Sequence, residues 1–179
     1  MRQRAEVVNR ALAERLETVL PKAMREAGID MWLVICQEDN LDPVYESMIP
    51  MDTWCPILQI LVFYDRGPEA GIERINFSMT DTKDLYEKPW LGRRHHSEQW
   101  TLLRGIVEES DPQRIGINVG QVQWAAGGLT HNLYNQLVEA LPLPEWDGNS
   151  LRFALEEDVV FTASGCRLMG ERQNGFFLV

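Results

Sequence analysis

The chain has 179 residues, is 45% hydrophobic and carries a formal net charge of −10 from 27 acidic against 17 basic side chains. That length suffices for one well-filled core, and the acidity opposes attraction to nucleic-acid phosphates or anionic lipid. The longest strongly apolar run, "WCPILQILVFY", contains Pro56 and Gln59 and falls well short of the roughly 20 residues that span a bilayer. Neither nucleic acid nor membrane is therefore an expected partner.

The opening "MRQRAEVVNRALAERLE" is charged throughout and lacks the apolar segment of a secretion signal, so the expected compartment is the cytoplasm. In "LAERLETVLPKAMREAGID" the residues Leu12, Leu16, Val19, Leu20 and Ala23 recur at helical spacing, and Gly28 is a natural stop. Pro21 removes one backbone donor inside that pattern, and a kink or break is expected there. "MWLVIC" is a continuous apolar run of the kind that fills a buried strand. "ILQILVFYD" is a second strand, "RGPEAG" a turn, and "IERINFS" its hairpin partner. Ser97 followed by Glu98 opens the helix "SEQWTLLRGIVEES", with Trp100, Leu103 and Val107 on one face. "DPQ" makes a turn before the strand "RIGINVG". "GGLTHNLYNQLVEAL" is helical, with Leu129, Leu133 and Leu137 in line. Helices alternating with strands predict a layered α/β domain over residues 1–141.

A composition change at "LPLPEWDGNS", residues 141–150, separates this domain from a β-rich tail, residues 142–179, with candidate strands "LRFAL", "DVVFT" and "GFFLV". A tail of that size must pack on the first domain or on a partner chain. Left uncovered, its strand edges and the apolar Phe153, Val160 and Phe161 favour self-association, so a homodimer is expected. Cys36, Cys55 and Cys166 are odd in number and form no CxxC pair, which fits reduced thiols.

Common catalytic motifs are missing from the sequence: no GxGxxG, P-loop, GxSxG or HExxH appears. "RRHHSEQW" places His95 and His96 beside Arg93 and Arg94. Adjacent side chains diverge on either a strand or a helix, and two arginines repel a cation, so the group reads first as a solvated loop before a helix. Its functional alternative is a loop meeting an anionic substrate group. Trp90 and Trp100 flank the loop and extend that alternative to a small-molecule site, although packing accounts for both rings. In "LRFALEEDVVFT", the acids Glu156, Glu157 and Asp158 read as an exposed turn, or as one edge of a metal site that requires further ligands.

A family resemblance bears on both features. "AGIDMWLVICQEDNLDP", "ILVFYDRGPEAGIERI" and above all "DPQRIGINVGQVQWAAGGLTHNLYNQLVEAL" resemble, in order and spacing, the N-terminal domain of the creatinase/prolidase family, which includes the Xaa-Pro aminopeptidases. The resemblance implies an α/β layer with a mixed sheet flanked by helices. It also implies a domain without metal ligands, which makes oligomer contacts and covers a neighbouring active site; His95, His96, Arg93 and Arg94 would lie in the covering loop. "EWDGNSLRFALEEDVVFTASGCRLMGERQNGFFLV" resembles the end of the family's pita-bread catalytic domain. On that match Glu157 occupies the position of the last metal-bridging glutamate in a centre of two divalent ions, manganese, cobalt or zinc. The intervening catalytic segment, which carries two aspartates, a histidine and another glutamate in the family, has no counterpart between "LVEAL" and "LPLPEW".

The implied function is thus a non-catalytic association and covering domain of a Xaa-Pro aminopeptidase or prolidase-like metallopeptidase, binding no metal itself. Proline-containing peptides are substrates of the parent family only. The alternative is an active metal-dependent Xaa-Pro peptidase whose remaining ligands come from a partner chain. One ligand against the usual three or more favours the former.

Overall fold

The computed structural model describes residues 2–51, 53–55, 57–90, 92, 96–119, 126–141, 159–162 and 165–168. A first helix, α1 (Arg2–Ala27), leads into the strand β1 (Met31–Gln37) and a short helix α2 (Pro43–Met48). The hairpin β2 (Leu58–Asp65) and β3 (Ile72–Asn76) follows, then α3 (Ser97–Ser110), β4 (Ile115–Ile117) and α4 (His131–Ala140). Two further strands, β5 (Val159–Thr162) and β6 (Gly165–Leu168), pair antiparallel with each other.

The first four strands form one mixed sheet in the order β3-β2-β1-β4. β1 lies antiparallel to β2, with Cys36 opposite Gln59, and parallel to β4, with Trp32 beside Gly116. The expected hairpin is present, Val62 pairing with Ile75 across the "RGPEAG" turn. In that turn Gly67 and Gly71 have φ of 95° and 78°, and the Gly67 N–H is held by Asp65 Oδ1 at 2.9 Å.

Both faces of the sheet are covered, which explains why β1 and β2 are continuous apolar runs. One face carries Trp32, Val34, Leu61 and Phe63 against Leu12, Leu16, Leu20 and Met24 of α1. The other carries Leu33, Ile35, Ile60 and Val62 against Leu103 and Val107 of α3 and Leu133 and Leu137 of α4. The result is a helix–sheet–helix sandwich, in keeping with the α/β class and mixed sheet expected from sequence.

Four local expectations are corrected. The helix α1 runs through Pro21 without a break. Loss of one backbone bond costs about 3 kcal/mol, and each of Leu16, Leu20 and Met24, buried on both sides of Pro21, returns roughly 1.5–3 kcal/mol. Its end is as expected: Gly28, at φ 64°, donates to Arg25 O and Ile29 donates to Met24 O, both at 3.1 Å, the paired bonds of a Schellman cap. At α3 the N-cap is His96 and not Ser97, and it makes no side-chain capping bond. β4 is a three-residue strand, shorter than "RIGINVG", because Asn118 turns away into a side-chain network. α4 begins after Thr130, whose Oγ1 accepts from Leu133 N at 3.3 Å, so Gly127, Gly128 and Leu129 precede the helix. The candidate strands "LRFAL" and "GFFLV" and the residues 142–158 lie outside the described residues.

Candidate functional site

Sheets with a parallel pair present their crevices beyond the strands' carboxyl ends. Here β1 and β4 end side by side at Gln37 and Ile117, and the polar side chains of greatest structural consequence collect just past them. Asp42 is central and fully buried. Its Oδ1 accepts from Val44 N at 2.9 Å, capping α2 with Pro43 at the first helical position, and from Asn118 Nδ2 at 2.8 Å. Its Oδ2 accepts from the Gly127 and Gly128 N–H groups at 3.2 and 3.1 Å. Asn118 Oδ1 in turn accepts from Trp32 Nε1 at 2.7 Å, and Asn40 Nδ2 donates to Gly127 O at 2.8 Å. One carboxylate therefore joins the start of α2, the end of β4 and the approach to α4.

Gly128 is required where it stands, since a Cβ there would lie 2.5 Å from Asp42 Cβ and 2.6 Å from Cys36 Cβ. Burial pushes the Cys36 thiol up to about 12, so it stays protonated as a core side chain. Cys36 and Cys55 are both free thiols, in agreement with the sequence.

Beside this cradle, Tyr45 of α2 donates through its hydroxyl to Gln59 Oε1. Thr80 Oγ1 lies 3.1 Å from the same oxygen and 3.2 Å from Trp54 O. Burial holds the Tyr45 hydroxyl well above its ordinary pKa, so it is a neutral donor. Gln59 Nε2, both amide atoms of Asn76 and Thr82 Oγ1 are buried with no hydrogen-bond partner among the described residues. Each such group costs about 1–3 kcal/mol if left unsatisfied.

Of the predicted loop, His96 is described and Arg93, Arg94 and His95 lie outside the described residues. The His96 ring sits 5.7 Å from the buried Trp90 ring, with His96 Nδ1 2.8 Å from Gln99 Oε1. Gln99 Nε2 donates to Leu58 O at 3.2 Å and to Phe77 O. With its amide hydrogens so directed, Gln99 Oε1 is the acceptor, and His96 Nδ1 carries the proton. Trp100 is not part of this group: its Nε1 donates to Gln136 Oε1 at 3.1 Å and ties α3 to α4. Glu157 lies outside the described residues, and among those described no three His, Cys, Asp or Glu side chains gather as a metal site.

The same end of the sheet is ringed by exposed apolar side chains. Trp54 is 65% and Ile57 55% exposed, with Met51 and Met79 about half exposed beside them. The Thr80–Trp54 bond brings the chain just after β3 against Trp54. Among the described residues no helix is long and apolar enough to cross a membrane.

Sequence reasoning passed over Asp42, Asn118 and Gly127–Gly128. For Asp42 a signal exists, because "NLDP" pairs an N-cap residue with proline at the first helical position. For Asn118 and the glycines none does, because their partner is 76 to 86 residues away. In comparisons with known proteins, the chain matches no family model, no curated protein and no solved structure.

Proposed function

We propose that this chain is a non-catalytic association domain of creatinase/prolidase type, a cytoplasmic homodimer in which the layered unit serves oligomer contact and active-site covering for a Xaa-Pro aminopeptidase-like metallopeptidase. The family part of this reading rests on the quoted sequence stretches alone. The association part is carried by one observation, the gathering of Trp54, Ile57, Met51 and Met79 in exposed positions at one end of the sheet. Burying large side chains of this kind between two copies is the ordinary source of dimer stability. An apolar contact also suits a chain of net charge −10, since it keeps the like-charged surfaces at the rim.

Sedimentation velocity across a concentration series tests this. The wild-type chain should sediment as a dimer at micromolar concentration, and Trp54→Asp should shift it to monomer while leaving its circular dichroism unchanged. A wild-type monomer throughout the series would remove the association reading.

A further inference from the structure

The register of β5 and β6 divides the residues of that hairpin between two unlike faces. Val159 pairs with Leu168 and Phe161 with Cys166, and since alternate positions of a strand share a face, these four residues stand on one side of the ladder. Val160, Thr162, Gly165 and Arg167 stand on the other. One side is therefore made up wholly of apolar residues and the other is mixed. The two strands form a sheet of their own, separate from the four-stranded one. A two-stranded hairpin is marginally stable at best in water unless an apolar face of it is packed on something.

The layered unit has few places to offer. Helices already cover both faces of its sheet, and the outer side of β3 is paired by the Glu87 segment. The largest exposed apolar side chains among the described residues are Trp54, Ile57, Met51 and Met79, at the end of the sheet where β1 finishes and β2 begins. α3 starts at that end, where Gln99 Nε2 donates to Leu58 O at 3.2 Å, and finishes at the other, where the Tyr64 hydroxyl donates to Ser110 O at 2.8 Å. α4 runs beside it in the same direction. Trp100 is bonded to Gln136, and one turn later Arg104 Nε and Nη2 donate to Ala140 O and Glu139 O at 2.6 and 3.0 Å. The chain thus leaves α4 pointing away from its own patch. Residues 142–158 separate α4 from β5 and span at most about 60 Å, enough to reach a second copy.

We infer that the two uncovered surfaces meet between chains: the Val159, Phe161, Cys166 and Leu168 face of one copy's hairpin packs on the Trp54 and Ile57 patch of the second copy, and the second copy's hairpin packs on the first. The inference rests on the dimer proposed above and names the element that fills its interface. Each copy gives a hairpin and receives one, so the contact occurs twice and the dimer closes on itself.

Sedimentation velocity on mixed variants tests this. Trp54→Asp spoils the patch and keeps the hairpin, whereas Phe161→Asp spoils the hairpin and keeps the patch, so each variant alone loses both contacts and should sediment as a monomer. An equimolar mixture joins the intact hairpin of the first to the intact patch of the second. It should give a heterodimer weaker than the wild-type dimer by roughly tenfold or more, because one contact replaces two. A Phe161→Asp chain that stays as dimeric as the wild type overturns the inference and leaves the patch-mediated dimer standing. Two folded monomers that form no heterodimer at the top of the concentration series overturn it as well. A wild-type monomer throughout removes both the exchange and the dimer. Circular dichroism checks that each variant is folded; should Phe161→Asp fail to fold, Leu168→Lys alters the same face and carries the comparison.

Discussion

Asp42 shows how much one buried side chain can decide. Four N–H groups from three separate parts of the chain converge on its carboxylate, which is fully buried. Asp42→Ala leaves those donors unpaired and removes the α2 cap; the expected loss is about 3–5 kcal/mol, measured by urea unfolding. Asp42→Asn keeps Oδ1 but sets amide hydrogens against the Gly127 and Gly128 N–H groups, so it should fall between the two.

Asp65 makes a second, pH-dependent case. Arg25 Nε and Nη2 approach its two oxygens at 2.7 and 2.9 Å, and this bidentate contact, helped by the Gly67 N–H, holds the carboxyl below its usual pKa. A depressed folded-state pKa contributes stability that is present above the unfolded value near about 4 and lost as pH falls through the folded value. The melting temperature of Asp65→Asn should therefore lie below that of the wild type at neutral pH, with the gap closing under acid. A gap that stays constant from pH 7 to pH 2 would show that the pair acts through shape and not charge.

Elements were read well wherever periodicity met burial on both sides. β1 and β2 are apolar runs because helices cover each face, and of the α1 stripe, Leu12, Leu16, Leu20 and Ala23 are buried as their spacing requires while Val19 is exposed. Reading failed where a local rule was outweighed. Pro21 was expected to kink or break the helix, yet α1 is unbroken there, and the buried residues on both sides of it hold the helix on the sheet. The backbone cost should still be present as strain: Pro21→Ala restores one donor and relieves the ring clash, worth about 3 kcal/mol. It also returns roughly 1 kcal/mol of freedom to the unfolded chain. A net gain of about 2 kcal/mol in unfolding free energy is expected, and an unchanged or lower value would mean that α1 has already relaxed around the ring. At the edges, the outer side of β3 is paired by the Glu87 segment, Glu87 N to Arg74 O at 2.9 Å, so that strand offers little for ladder-type association.

At the scale of the molecule, self-association is expected to run through exposed side chains at one end of the sheet. The metal question turns on Glu157. A catalytic metal ordinarily needs three or more protein ligands, and on the proposed reading a calorimetric titration of the chain with Mn²⁺ should give no binding heat, for the wild type and for Glu157→Ala alike. Stoichiometric binding abolished by that substitution would instead indicate a site assembled between chains and would restore the peptidase alternative.

The α/β class, the hairpin, the mixed sheet's principal strands and the Gly28 stop were determined by the sequence alone, because each follows from periodicity or from the backbone freedom of a single residue type. The tertiary structure alone decided that Asp42, Asn118 and Gly127–Gly128 form one cradle, that Gln99 sets the His96 tautomer, and that Gln59 and Asn76 share a buried face. Those relations join residues tens of positions apart, and their energies depend on burial and distance, which exist only once the sheet has brought its carboxyl ends together.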